Sequence, residues 1–149
     1  MLTKLKYVGV SVEDLIVIYV LFIRSVTEYF SVAFHSSLTI EQTTDIERVQ
    51  KTCLKIILAD NYVDYEAALE MTGLQTLVER REKRCLDFSL KCIEHPVNNR
   101  MFPVNKNVDN VQKVRKRELF EVNFCRTESY KKSAIPHCQR KLNEHFSKK

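Results

Sequence analysis

Glycine and proline are scarce in this 149-residue chain, with two glycines (Gly9 and Gly73) and three prolines. So few breakers disfavour a many-turned all-β fold and favour long helices. The same scarcity excludes a glycine-rich loop cradling phosphates. No two aspartates stand side by side, so the paired carboxylates that hold magnesium in two-metal polymerases have no counterpart. No Gly-x-Ser-x-Gly turn presents a nucleophile. The five cysteines, Cys53, Cys85, Cys92, Cys125 and Cys138, are odd in number and lack close pairs. That pattern points to free thiols in a reducing, intracellular compartment, nuclear or cytoplasmic. Three of them fall in apolar helical patterns, where a thiol is a small buried hydrophobe.

Long apolar runs are also missing. The stretch Leu15 to Ile23 is nine residues long and ends at Arg24, whereas crossing a bilayer takes about twenty. It reads as a core helix, and the absence of a small-residue cleavage site argues against a secretory leader. Zinc ligands usually come as two close pairs. His137, Cys138, Cys125 and His145 have no such spacing, so the histidines read as surface groups on a basic helix. Asp60 and Asp64 read as a solvated loop. Neither a metal nor a cofactor is expected, and no small-molecule substrate.

What the chain does contain is a 44% apolar content, sufficient for a core, and a net charge of +5. The charge is unevenly spread: residues 1–60 hold six basic and seven acidic side chains, and residues 100–149 hold thirteen basic and five acidic. A concentrated positive field attracts phosphate backbones by counterion release.

Periodicity and caps predict the helices. The first opens at Ser11, with Glu13 and Asp14 at the positive end of its dipole, and runs to about Phe34. Leu15, Ile16, Tyr19, Phe22, Ile23, Val26, Phe30 and Ala33 recur on it at three- and four-residue steps. Its opening turns are apolar nearly all round and demand a partner surface. Thr39 with Gln42 is a capping box that opens a second helix reaching Leu58, with an expected Glu47–Lys51 ion pair. A short third helix spans about Tyr65 to Thr72 and closes at Gly73. Thr76 with Glu79 opens a fourth, which stops before Pro96. Residues 97–110 read as an irregular connection. Val111 to Phe124 is readable as a short helix or an extended strand. A last helix starts near Ser133 with Pro136 in its first turn. The fold class predicted is mostly α, a small helical bundle of three long helices plus shorter ones, with a thumb-like helical domain over 1–96 and a basic extension over 97–149.

Without catalytic constellations, binding is the remaining chemistry. Arg80, Arg84 and Lys91 fall on one side of the fourth helix. Arg115, Lys116 and Arg117, then Lys131 and Lys132 beside Tyr130, add cations interspersed with aromatics that stack on bases. These eight basic residues are the candidate phosphate contacts.

Several segments in order carry a family likeness. Phe22-Ile23-Arg24-Ser25-Val26-Thr27-Glu28-Tyr29 precedes Asp45-Ile46-Glu47-Arg48-Val49-Gln50-Lys51-Thr52-Cys53-Leu54-Lys55-Ile56-Ile57-Leu58. Tyr65-Glu66-Ala67-Ala68 and Leu77-Val78-Glu79-Arg80-Arg81 follow. Near the end stands Cys125-Arg126-Thr127-Glu128-Ser129-Tyr130-Lys131-Lys132-Ser133-Ala134-Ile135-Pro136. This order resembles the thumb and post-thumb region of reverse transcriptases of non-LTR (LINE-type) retrotransposons. Ser25 stands where a proline is more usual, and Phe34 replaces the tryptophan of a Trp-His pair. The resemblance implies a helical segment that helps hold template and primer, while chemistry resides in aspartates that would precede Met1. The expected function is therefore a non-catalytic fragment of an RNA-directed DNA polymerase that binds RNA or DNA. The alternative is a structural remnant of a decayed transposable element. Expected partners are a nucleic-acid backbone, and either a missing palm domain or a second copy through the first helix, with no membrane.

Overall fold

The computed structural model describes residues 1–105 and 118–147. The chain adopts the mostly α-helical fold that its composition predicts, and no strand forms among the described residues. Contacts divide it into two compact units, Met1–Ser31 with Leu38–Arg81, and Val32–Ser37 with Glu82–Lys149.

In the first unit a helix that periodicity does not announce, α1 (Leu2–Tyr7), precedes the expected start at Ser11. It buries Leu2, and Lys6 Nζ donates to the carbonyls of Ile56 and Ile57 at 2.9 Å each. Those carbonyls lie in the last turn of α5 (Ile40–Leu58), where orphan acceptors and the negative dipole end favour a cation. Helix α2 (Val12–Ile18) begins as predicted, with the Ser11 side chain accepting from the Asp14 amide.

The predicted single helix from Ser11 to Phe34 does not form. After α2 the backbone continues as a π-helical turn over Tyr19–Arg24 and then α3 (Ser25–Thr27). The chain breaks at Phe30, which takes a left-handed φ of 52°, before α4 (Ser31–Phe34). The π turn inserts one residue into the inward-facing register, which runs Leu15, Tyr19, Arg24, Glu28 instead of Leu15, Tyr19, Phe22, Val26. Phe22, Val26 and Phe30, expected on the core stripe, are consequently 62%, 74% and 72% exposed, and Glu28 is buried.

The remaining first-unit helices match their caps. Thr39 and Gln42 form the reciprocal capping box of α5. Asp64 accepts from the Ala67 amide at the start of α6 (Tyr65–Thr72), and Gly73 ends it in the left-handed conformation at φ 65°. Thr76 Oγ1 accepts from the Glu79 amide at the start of α7 (Leu77–Glu94), whose first residues belong to this unit and whose remainder belongs to the second. The core gathers Leu15, Tyr19, Cys53 and Ile57, and beside them Leu54, Leu58 and Ala68. A polar chain runs through it. Tyr19 donates to Gln50 at 2.6 Å, and Gln50 donates to the Tyr65 hydroxyl and to the carbonyl of Gln75. Tyr65 in turn donates to Glu47, which also accepts from the Leu77 amide. The expected Glu47–Lys51 pair gives way to this network, and the Lys51 ammonium lies over the Tyr65 ring, 4.8 Å from its centroid.

In the second unit the later turns of α7 share a core with α9 (Ala134–Ser147), which carries Pro136 in its first turn as predicted. Cys85, Cys92, Phe102, Phe120, Cys138 and Leu142 fill that core. Two buried amides of α9 hold the irregular chain. Gln139 accepts from the Asn123 amide at 2.9 Å and donates to the Met101 carbonyl at 2.8 Å. Asn143 accepts from the Phe120 amide at 2.8 Å and donates to the Phe120 carbonyl at 2.9 Å. An isolated antiparallel bridge joins Val104 to Phe120. From Glu118 to Cys125 the chain is not helical, and residues 111–117 of the segment readable as helix or strand lie outside the described residues. The short α8 (Glu128–Lys131), capped by Thr127, leads into α9.

Candidate nucleic-acid interface

The eight candidate phosphate contacts have different fates. Arg80, in the first turn of α7, holds Glu28 with both arms of its guanidinium, Nε to Oε1 at 2.9 Å and Nη2 to Oε2 at 3.2 Å. Glu28 is 1% exposed. A bidentate, charge-assisted pair with a buried carboxylate commits this arginine to the fold of the first unit. Arg84 and Lys91 are exposed in the second unit, about two turns apart on the same helix. Arg115, Lys116 and Arg117 lie outside the described residues.

Lys131 and Lys132 are exposed at the end of α8. The structure adds a third cation that sequence reasoning missed. Arg140, in the second turn of α9, donates from Nη2 to the carbonyl of Lys131 at 2.5 Å. This bond holds its guanidinium against the backbone of Lys131, next to Lys132 in the chain, and the preceding Tyr130 is 45% exposed. Lys131 is partly offset by Glu128 at 3.4 Å, an exposed pair of little energetic weight. Arg140 is one of many basic residues in this third of the chain, and nothing in its spacing distinguishes it. Its meeting with Lys131 depends on the turn at Lys132 and Ser133, which folds α9 back onto α8.

Burial and charge shape the rest of the second unit. His137 has its pKa lowered to about 4, first because burial disfavours the charged ring, then because His35, Lys141 and Arg140 repel an added proton. The rings of His35 and His137 meet edge to face at 5.8 Å. His137 is therefore neutral at pH 7 and half-buried, not the surface histidine expected. Cys85 and Cys138 share a hydrogen bond in the core, which together with burial raises the Cys85 pKa, while the same bond lowers that of Cys138. Cys125 turns elsewhere, its thiol donating to the Asn123 carbonyl. Among the described residues, no three His, Cys, Asp or Glu side chains converge as metal ligands.

The arrangement suits electrostatic attraction of a polyanion with an aromatic ring close by. Compared with protein-family models, with curated proteins and with solved structures, the chain matches none.

Proposed function

We propose that this chain is a non-catalytic nucleic-acid-binding module, thumb-like, of the kind found downstream of the catalytic core in non-LTR retrotransposon reverse transcriptases. The observation that carries the reading is the bond of the Arg140 guanidinium to the Lys131 carbonyl, which places a third cation at the exposed Tyr130-Lys131-Lys132 segment. These residues lie in or next to the Arg-Thr, Tyr-Lys, Ser-x-Ile-Pro segment on which the family likeness rests. Phosphates would meet the cations and an unpaired base would stack on the ring. Arg84 and Lys91 extend the positive surface of this unit. The sequence has no adjacent aspartates to hold divalent ions, and its Glu13–Asp14 pair sits in the first turn of α2, so the module grips a polynucleotide without extending one.

Binding of a fluorescent single-stranded oligonucleotide, titrated at several salt concentrations, tests the reading. Affinity should fall steeply with salt, and a Lys131→Ala, Lys132→Ala, Arg140→Gln variant should flatten the logarithmic slope by about two units, roughly 0.7 per lost contact on a single strand. A slope near zero in the native chain, or a variant with an unchanged slope, overturns it.

A second reading is a structural remnant with no activity of its own. The exposure of Phe22, Val26 and Phe30 favours it, because such a surface normally lies against something. The remnant would show no salt-dependent binding at all.

A further inference from the structure

Residues from Val17 through the end of α3 to the turn at Phe30 present an apolar surface, whose middle the π turn directs outward. Val17 is 52% exposed, Leu21 60%, Phe22 62%, Val26 74%, Tyr29 80% and Phe30 72%. Regular α-helical spacing after Tyr19 would return Phe22 and Val26 to the core. The π register instead spends a buried carboxylate, Glu28 on Arg80, to keep them outside. Such turns are uncommon, and they cluster where a helix serves a function beyond packing.

We propose that this face is a homodimer interface, in which two copies of the chain pack the Val17–Phe30 segments antiparallel about a two-fold axis. Three features of the surface favour a second copy as the occupant. The first is size. The six side chains offer roughly 700 Å² of accessible surface, close to the ~800 Å² that each partner contributes to an interface of standard size. The second is charge. Between Val17 and Phe30 the only Lys, Arg, Asp or Glu side chains are Arg24 and Glu28, and Glu28 is buried against Arg80. An essentially neutral face meets its own copy without like-charge repulsion, and it gives a polyanion or an acidic partner little to hold. The end of the helix carries Glu13 and Asp14 where an anionic lipid surface would call for basic residues.

The third feature is polar bookkeeping. The Ser25 hydroxyl, in the middle of the face, donates to the Leu21 carbonyl at 2.6 Å, and the Thr27 hydroxyl donates to the Arg24 carbonyl at 2.9 Å. Both donors are satisfied within their own helix, so drying the face strands neither of them. An antiparallel arrangement sets the aliphatic end, Val17 and Leu21, against the aromatic end, Tyr29 and Phe30, of the other copy. Phe22 and Val26 then flank the axis, and the small Ser25 lets the helices approach. The interface uses the first unit alone and does not depend on nucleic-acid binding by the second.

Sedimentation of the full chain over a hundredfold concentration range tests the proposal. The expected result is a reversible equilibrium between 17.6 kDa and twice that mass. Phe22→Glu and Val26→Lys should each weaken dimerisation by roughly tenfold or more, as loss of a central anchor does. Because both side chains project from the surface, the helical circular dichroism should not change. Val63→Glu, at an 81% exposed position between α5 and α6 and outside this segment, should leave the mass equilibrium intact. A monomer at every concentration overturns the proposal. So does a dimer indifferent to Phe22→Glu and Val26→Lys, or a monomer that floats with neutral lipid vesicles through this face.

Discussion

In the first unit a tyrosine, a glutamine and a second tyrosine pass hydrogen bonds from helix to helix, whereas in the second unit a glutamine and an asparagine on one helix hold irregular chain. Gln50 ties Tyr19, Tyr65 and the carbonyl of Gln75, all within or next to helical elements. Gln139 and Asn143 instead bond backbone groups of Met101, at the end of a 3-10 turn, and of Phe120 and Asn123, in non-helical chain where a sheet partner would otherwise satisfy them. A buried polar side chain thus does two jobs in one protein. Where the backbone is already satisfied by helices, it fixes how helices meet; where it is not, it replaces the missing ladder. The cores differ accordingly. Leu15, Leu54 and Ile57 dominate the first, and the thiols of Cys85, Cys92 and Cys138 are prominent in the second.

The largest expected effect breaks the first unit. Arg80→Met removes both charge-assisted hydrogen bonds that its guanidinium makes to the buried Glu28 and should destabilise this unit by about 3 kcal/mol. The double variant Glu28→Leu, Arg80→Met should recover most of that loss in urea titrations. If Arg80→Met costs nothing, the pair does not hold the π register in place.

The corresponding break in the second unit is Asn143→Ala. It strands the amide and carbonyl of Phe120, and a loss of about 2 kcal/mol is expected. Hydrogen exchange should show the Phe120 and Asn123 amides opening while those of α5 keep their protection. Equal loss of protection in α5 would mean the two units do not differ in the way described.

Acid sharpens the contrast further. The folded-state pKa of His137 is lowered to about 4 from 6.5, so the folded form binds its proton less readily than the unfolded chain. Stability from keeping His137 neutral is fully present above pH 6.5 and is lost as the pH falls toward 4. The loss is on the order of 2 kcal/mol, since each pKa unit corresponds to about 1.4 kcal/mol and the ring is not fully buried. His137→Gln should remove this slope between pH 6.5 and 4, read as the difference in melting temperature between variant and native chain. A variant as acid-sensitive as the native chain would assign the slope to other groups.

The smallest effect is local. Thr39→Ala removes the hydroxyl half of the capping box at the start of α5 and should cost about 1 kcal/mol. A melting temperature that does not move would show that tertiary packing, not the cap, holds this end of the helix.

Much of the helical framework was legible in the sequence for a simple reason. Ser11, Thr39, Gly73 and Thr76 act within three or four residues of themselves, so their caps need no knowledge of distant chain, whereas Asp64, read as part of a solvated loop, proves to be the cap of α6. Pro136 likewise marks a first turn wherever it stands. The candidate interface was less legible. Lys131 and Lys132 could be picked out as a basic pair beside a tyrosine, but Arg140 joins them through a bond across nine residues that composition does not register. Arg80 matches Arg84 and Lys91 in helical phase, yet its guanidinium is taken by Glu28, 52 residues away.

By itself the sequence determined that the chain is helical, where five of its helices begin, and that positive charge gathers in its last third. Only the tertiary structure decided which face of the first helix turns inward. Either register is open to a helix apolar nearly all round, and the choice fell to a single carboxylate that finds its arginine only after the chain has folded back.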